Sequence, residues 1–442
     1  KIMLKLKFLI RLAAIWAAAG IVTACAPASD DDDSEVREES QAMVLLRGLP
    51  TLDTHHSVAI VELDPEADNF GDILSEYELP DLDEPLHHLY YSPMGRLYAT
   101  GLDPKCSLAE IDLERDASGA PVIQGVECLN TDGQQVGEDI MWHQVNGTEY
   151  MFVTFMGGTG IEQADCGSVG VFDAQTNAVI KVIEARKSQS TGNEPFIMYP
   201  HGISAYGDRM VVTSTSHPEL GKGAGNSITV IDLNSFEPIE TIVLDSVQPD
   251  GSPSAPVEVL FVRPSIVPDA EPAVLVNTLQ GSETRRIAYD EKTKTFGTPE
   301  VLYDGASNGT GVPLEFYGNE TELFISHGLP GVVKRYDLAS LPDLVPSGDD
   351  IEAEAGAHHM IFYSSRSGRN LIAVQNNLLN LGDAAANDPT DIDFIASLNA
   401  HTVTVTDLDN NERLARVSFK DRYGKGVENI EALFGSGFVH HH

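Results

Sequence analysis

The chain has 442 residues, with 28 Lys or Arg against 67 Asp or Glu, a formal net charge of −39. So anionic a protein repels polyphosphate instead of gathering it by counterion release, which excludes nucleic acid as a partner. The charge bears on partners and solubility, not on fold.

The chain opens with Lys1, Lys5, Lys7 and Arg11, an apolar run "AAIWAAAGIV", and "VTAC" leading into Cys25. A positive start, an apolar stretch and small residues before a cleavage point form a secretory signal. The cysteine makes it resemble a bacterial lipoprotein signal, and the run is too short to span a bilayer comfortably. Residues 1–24 are therefore expected to be a lipoprotein signal peptide and Cys25 the lipidated residue. Residues 25–40 follow as an acidic tether with little to bury, "APASDDDDSEVREES". Ala26, where Asp would favour retention, points to the outer membrane. The expected location is that of an exported bacterial lipoprotein, periplasmic or anchored at the outer membrane or cell surface, touching membrane only through its lipid. No polar linker divides residues 41–439, which read as one domain; His440–His442 read as a tag remnant. Cys106 and Cys128 flank a hairpin, "CSLAEIDLERDASGAPVIQGVEC". Export favours a disulfide between them, leaving Cys166 as a free thiol.

From there on, short β-patterned runs occur without a competing amphipathic helix. One unit recurs: an alternating strand closing on Asp, a polar turn, and a second strand. Its copies close on Asp64, Asp112, Asp173, Asp232, Asp290, Asp337 and Asp407. Between consecutive copies lies a second hairpin, as in "HLYYSPMGRLYAT", "HGISAYGDRMVVT" and "HMIFYSSRSGRNLIAV". Two hairpins per unit and seven units predict an all-β fold, a seven-bladed β-propeller of four-stranded blades. The seventh blade is expected to join "ENIEALFGSGFV" from the C-terminus to the "HHSVAIVELD" strands near the N-terminus.

The first residue of each inner hairpin occupies a common slot: His88, His143, His201, Glu258, Glu315 and His359. Histidines number only 14 of 442, yet four of these six slots hold one. Innermost strands surround a propeller's channel, so the slots predict a metal bound by His88, His143, His201 and His359. Glu258 and Glu315 would orient imidazoles or complete the coordination. His87 and His358 precede the slots, so alternation turns them away from the channel, although either could support the site or replace its neighbour after a one-residue slip. His55 and His56 read as surface, His217 and His327 as lining a substrate entrance at one rim, and His401 as structural. "LDPEADNFGD" and "DLDNNE" are acidic turns that could hold Ca²⁺, although turn chemistry accounts for them equally. No nucleophile elbow, phosphate loop, dinucleotide fingerprint or CxxC pair occurs in a fitting context.

The stretch "VAIVELDPEADNFGDILSEYELPDLDEPLHH" resembles the opening of the selenium-binding protein and methanethiol oxidase family. "MWHQVNGTEYMFVT", "SPSAPVEVLFVRP" and "TELFISHGLPGVVKRYDL" follow it collinearly. The resemblance implies a seven-bladed propeller that uses copper to oxidise methanethiol with O₂, with His87 and His88 in the paired motif and His143 in the next blade. The family's C-terminal His-Glu-Leu-Arg-Tyr-Pro element is here "ENIEALFGSG", which keeps Glu431 and no histidine, and its selenium-binding cysteine motif is absent. The ring is also similar in architecture to carotenoid-cleaving dioxygenases, whose four axial histidines hold Fe(II). Copper is thus the first expectation and Fe(II) the second, with O₂ and a small organic, organosulfur-type substrate as partners. The rival expectation is a non-catalytic surface propeller that binds a partner, its channel plugged by polar groups or a structural metal.

Overall fold

The computed structural model describes residues 40–49, 52–157, 167–184, 195–217, 224–244, 253–319, 321–377, 400–433 and the short strand Val439–His440. The expected signal, Cys25 with its expected lipidation, the expected tether up to residue 39, Cys166 and residues 441–442 lie outside them.

The protein is a seven-bladed β-propeller of four-stranded antiparallel blades. Blades are numbered here from the N-terminus, and their innermost strands are Lys425–Ala432, Leu86–Tyr91, Gly137–Val145, Pro200–Tyr206, Pro256–Val262, Gly311–Gly318 and Ala357–Ser364. Blades 2 to 7 run outward in chain order. Blade 1 closes the ring differently from the expectation. Lys425–Ala432 pairs with Gln41–Gly48, which in turn pairs with His56–Glu62. The strand "QAMVLLRG" therefore sits between the two segments expected to meet, and it is buried along almost its whole length.

Both faces of each blade are apolar because each packs against a neighbour. Alternation in Gln41–Gly48 shows the consequence: Ala42, Val44 and Leu46 join a core with blade 7, while Met43 and Leu45 join one with blade 2. Comparable cores fill the other interfaces, for instance Phe316, Ile325 and Leu275 between blades 5 and 6.

The closing aspartates do local work. Asp173, Asp232, Asp290, Asp337 and Asp407 each accept a backbone N–H from two residues on, at 3.1, 2.8, 2.8, 3.0 and 2.9 Å, an Asx-turn that ends the third strand. Blade 2 departs from the pattern. Asp112 lies mid-strand, and Asp116 caps the turn by accepting from Ser118 N–H at 2.8 Å. In the same blade Cys106 and Cys128 are joined by a disulfide, their Cα atoms 5.1 Å apart.

Candidate metal centre

In blades 2 to 7 the innermost strand slips by one residue against the second strand at one common point. The slips fall between Leu86 and Leu89, Gly137 and Ile140, Pro200 and Ile203, Pro256 and Val259, Pro313 and Phe316, and Ala357 and Met360. Each is a β-bulge, two residues opposing one. The bulged pairs are His87-His88, Glu138-Asp139, His201-Gly202, Val257-Glu258, Leu314-Glu315 and His358-His359. Blade 1 has its own slip at Glu428, between Val427 and Asn429.

The residue opposite each bulge is small or amide-bearing: Thr100, Thr154, Thr213, Asn277, Ser326 and Gln375. The freed backbone groups need partners, and these side chains supply several. His88 N–H donates to Thr100 Oγ1 (3.2 Å), Asp139 N–H to Thr154 Oγ1 (2.9 Å) and His359 N–H to Gln375 Oε1 (3.2 Å). Thr213 Oγ1 donates to the Gly202 carbonyl at 3.4 Å. Position 202 admits only glycine, since a Cβ there would meet the Val257 carbonyl at 2.5 Å.

A bulge breaks two-residue alternation, so both members of a pair can enter the same space. The His87 and His88 rings stack at 4.1 Å, and those of His358 and His359 at 3.8 Å. This corrects the expectation that His87 and His358 point away. His87 Nε2 is 3.3 Å from Glu138 Oε2 and its Nδ1 3.8 Å from Glu428 Oε2. His358 Nε2 is 3.1 Å from Glu315 Oε1. His201 enters the ring as the first member of its bulge, Gly202 holding the position equivalent to His88, Glu258, Glu315 and His359; its Nδ1 is 2.8 Å from Glu258 Oε1 and its Nε2 3.4 Å from Glu138 Oε2. The His88 ring lies 5.9 Å from that of His201 and 4.6 Å from that of His359.

His143 is not brought to this group. Blade 3 fills its slot with Glu138 and Asp139, while His143 sits four residues further along, its Nε2 2.8 Å from the Gly207 carbonyl. Aligning histidine with histidine displaced the register. Glu138, Asp139, Glu428 and the tyrosines beside the ring carried a signal that went unread: "HHL", "EDI", "HGI", "VEV", "LEF" and "HHM" all place the bulged pair directly before an apolar residue.

Tyr90 is the best-defined of the supporting groups. Its hydroxyl donates to Asp139 Oδ1 at 2.6 Å and lies 3.1 Å from His88 Nδ1, so His88 donates from Nδ1 and its tautomer is set. The Tyr317 hydroxyl stands 3.0 Å from His359 Nδ1. Electrostatics in the ring is strained by its carboxylates. Burial, then the charges of Asp139, Glu315 and Glu138, push Glu258 well above the usual carboxylate range. Burial opposes charge on His87, yet Glu138 and Glu428 outweigh it and push its imidazole up to about 10. Burial alone lifts Glu431, further along the closing strand, to about 7.

Ligand atoms within 4.8 Å of one another fall into three sets: His88, Glu315, His358 and His359; His87, His88 and Glu138; Asp139, His201 and Glu258. Mixed imidazole and carboxylate donors of this kind fit divalent transition metals. The remaining histidines stand apart. His55 is exposed, but His56 is buried, accepting the Gly48 N–H at Nδ1 (3.1 Å) and facing the Asp83 carbonyl at Nε2 (3.3 Å). His217 and His327 are also buried, their rings edge-on to Tyr199 and Tyr303. His401 is buried, in line with a structural role. In the two acidic turns Asp64 accepts from Glu66 N–H and Arg366 N–H, both at 2.9 Å, and Asp407 from Asp409 N–H. Neither turn gathers three converging ligands among the described residues.

No family model and no curated protein matches this sequence. Among solved structures, the chain is similar to a hypothetical selenium-binding protein from Sulfolobus tokodaii, at 14% identity and a TM-score of 0.58, covering 90% of this chain and 94% of that one. It is also similar to a functionally unknown protein from Desulfotomaculum acetoxidans, at 11% identity and a TM-score of 0.51, covering 90% and 100%. At these identities the likeness speaks for the propeller fold.

Proposed function

We propose that this protein is an exported, lipid-anchored oxidase or oxygenase that uses a ring-bound metal, copper before iron, and O₂ to oxidise a small organic, organosulfur-type substrate. The observation that carries this reading is the convergence of His88, His358, His359 and Glu315, all buried, with ligand atoms within 4.8 Å of one another. Imidazole-rich sites favour Cu²⁺ among first-row divalent ions. The "DEPLHH" motif and the shared fold with a selenium-binding protein lean the same way, with the weight appropriate to a distant likeness.

When bound, the metal would supply the redox chemistry with O₂ that no side chain provides. The chain's own residues hold and shape the site. Asp139 and Tyr90 fix His88 with its Nδ1 protonated, which presents Nε2 as the ligating nitrogen; Tyr317 does the corresponding orientation for His359. Glu315 Oε1 approaches both rings of the stacked pair, 3.1 Å from His358 Nε2 and 3.9 Å from His359 Nδ1, and limits how far either can turn. Val257 and Leu314 are the apolar members of an otherwise polar set of bulges, and with Leu279, Val312 and Leu329 they form a small apolar cluster. That cluster is a suitable seat for a substrate's methyl group and a barrier to water.

An oxygen electrode tests the reading. Copper-loaded protein given methanethiol or another small thiol should consume O₂, and His88→Ala and His359→Ala should reduce uptake to the level of buffer with free copper. Leu314→Asn should raise KM and leave metal content unchanged. Uptake no faster than that of free copper, across a panel of small thiols and sulfides, would overturn it.

A further inference from the structure

The ring is lopsided in its donors. Around the axis, blades 6, 7 and 2 contribute His88, His358, His359 and Glu315, three imidazoles to one carboxylate. Blades 3, 4 and 5 contribute Asp139, His201 and Glu258, one imidazole to two carboxylates. These sets share no residue, and they meet where His88 Nδ1 lies 3.4 Å from Asp139 Oδ1.

The carboxylate-rich side holds buried carboxylate oxygens that no hydrogen bond satisfies. Glu138 adds a third carboxylate there, and neither Glu138 nor Glu258 pairs with a lysine or arginine among the described residues. Glu138 Oε2 and Glu258 Oε1 are both buried and accept no hydrogen bond. Their nearest nitrogens are close without forming a hydrogen bond: Glu138 Oε2 lies 3.3 and 3.4 Å from His87 Nε2 and His201 Nε2, and Glu258 Oε1 lies 2.8 Å from His201 Nδ1. Two ligand atoms each about 2.1 Å from one ion lie roughly 3.0 Å apart in octahedral and roughly 3.4 Å apart in tetrahedral coordination. Around Glu138 Oε2 the spacing is that of donors grouped around a cation, longer than an ordinary N–H···O hydrogen bond.

We propose that the ring holds two divalent cations, the second bound by Asp139, His201 and Glu258, with Glu138 reaching from it toward the first. This rests on the metal-centre reading above and extends it. The two positions differ in character: the imidazole-rich side suits copper, and the carboxylate-rich side suits a harder ion such as Mn²⁺. The His88 and His201 rings are 5.9 Å apart, so the two ions are near neighbours.

The test uses the whole protein, chelator-treated, loaded with Cu²⁺ and then titrated with Mn²⁺ at high salt, which screens adventitious binding to the acidic surface. Expected is one Mn²⁺ per chain whose paramagnetic resonance signal is broadened by the neighbouring copper. The near-isosteric Glu258→Gln should weaken that Mn²⁺ at least tenfold and leave the copper content unchanged, while His359→Ala should remove copper and leave Mn²⁺. Stoichiometric copper without a copper-broadened Mn²⁺, or Mn²⁺ indifferent to Glu258→Gln in folded protein, would overturn the second position alone. Absence of stoichiometric copper from the wild type would remove the parent reading and the pair with it.

Discussion

Replacing Tyr90 with Phe deletes one oxygen that joins two partners, His88 Nδ1 at 3.1 Å and Asp139 Oδ1 at 2.6 Å. If His88 is a metal ligand, its orientation and basicity depend on that link, and losing such an outer partner weakens metal affinity about 10–100-fold. That range corresponds to about 1.4–2.7 kcal/mol. The lower end is expected here, because Asp139 Oδ1 already stands 3.4 Å from His88 Nδ1 and a small shift restores a direct bond. Competition between chelator-treated protein and a chromophoric copper chelator measures the effect. Tyr363→Phe is the control: its hydroxyl donates to the Leu63 carbonyl at 2.7 Å in a blade interface, so it should lose about 1 kcal/mol of stability and no copper affinity. Unchanged affinity in Tyr90→Phe, or an equal loss in Tyr363→Phe, would refute the role given to the Asp139, Tyr90 and His88 chain.

His87→Ala and His88→Ala should both weaken copper binding, since the bulge turns both rings inward, while His143→Ala should leave it unchanged; the same chelator competition separates them. Reducing the Cys106–Cys128 bond, which closes a loop with a sequence separation of 22, should cost about 3 kcal/mol in denaturant titrations, and no loss would mean the bond constrains little. Burial, aided by Lys334, lowers His327 to about 3. Its neutral form is therefore favoured in the folded state, and its contribution, full above the unfolded value of about 6.5, is lost as pH falls toward 3. Stability at pH 5 relative to pH 7 should drop by about 2 kcal/mol more in the wild type than in His327→Phe, and equal drops would contradict this.

How much of this was legible depended on whether a feature is local. The repeating strand and Asp-closed turn is a local device, so the blade count could be read directly, even though blade 2 moves the capping duty from Asp112 to Asp116. The ring was legible in part because His87-His88 and His358-His359 are conspicuous pairs. Its other half was hidden by the bulges. A one-residue slip is created by pairing with the second strand and reverses the facing that alternation implies, so alternation alone points His87 and His358 outward and does not single out Glu138 and Asp139. The strand Gln41–Gly48 was missed because nothing local tells it apart: its burial on both faces comes from closing the ring against Lys425–Ala432.

The most direct measurement is the metal content of protein purified without chelators or added metal, by elemental analysis, together with its paramagnetic resonance spectrum. The expected result is at least one copper or iron per chain, with hyperfine structure from imidazole nitrogens that disappears in His88→Ala and His359→Ala. Folded wild-type protein with no stoichiometric transition metal, and none taken up on titration with Cu²⁺ or Fe²⁺, would contradict a metal centre at the ring.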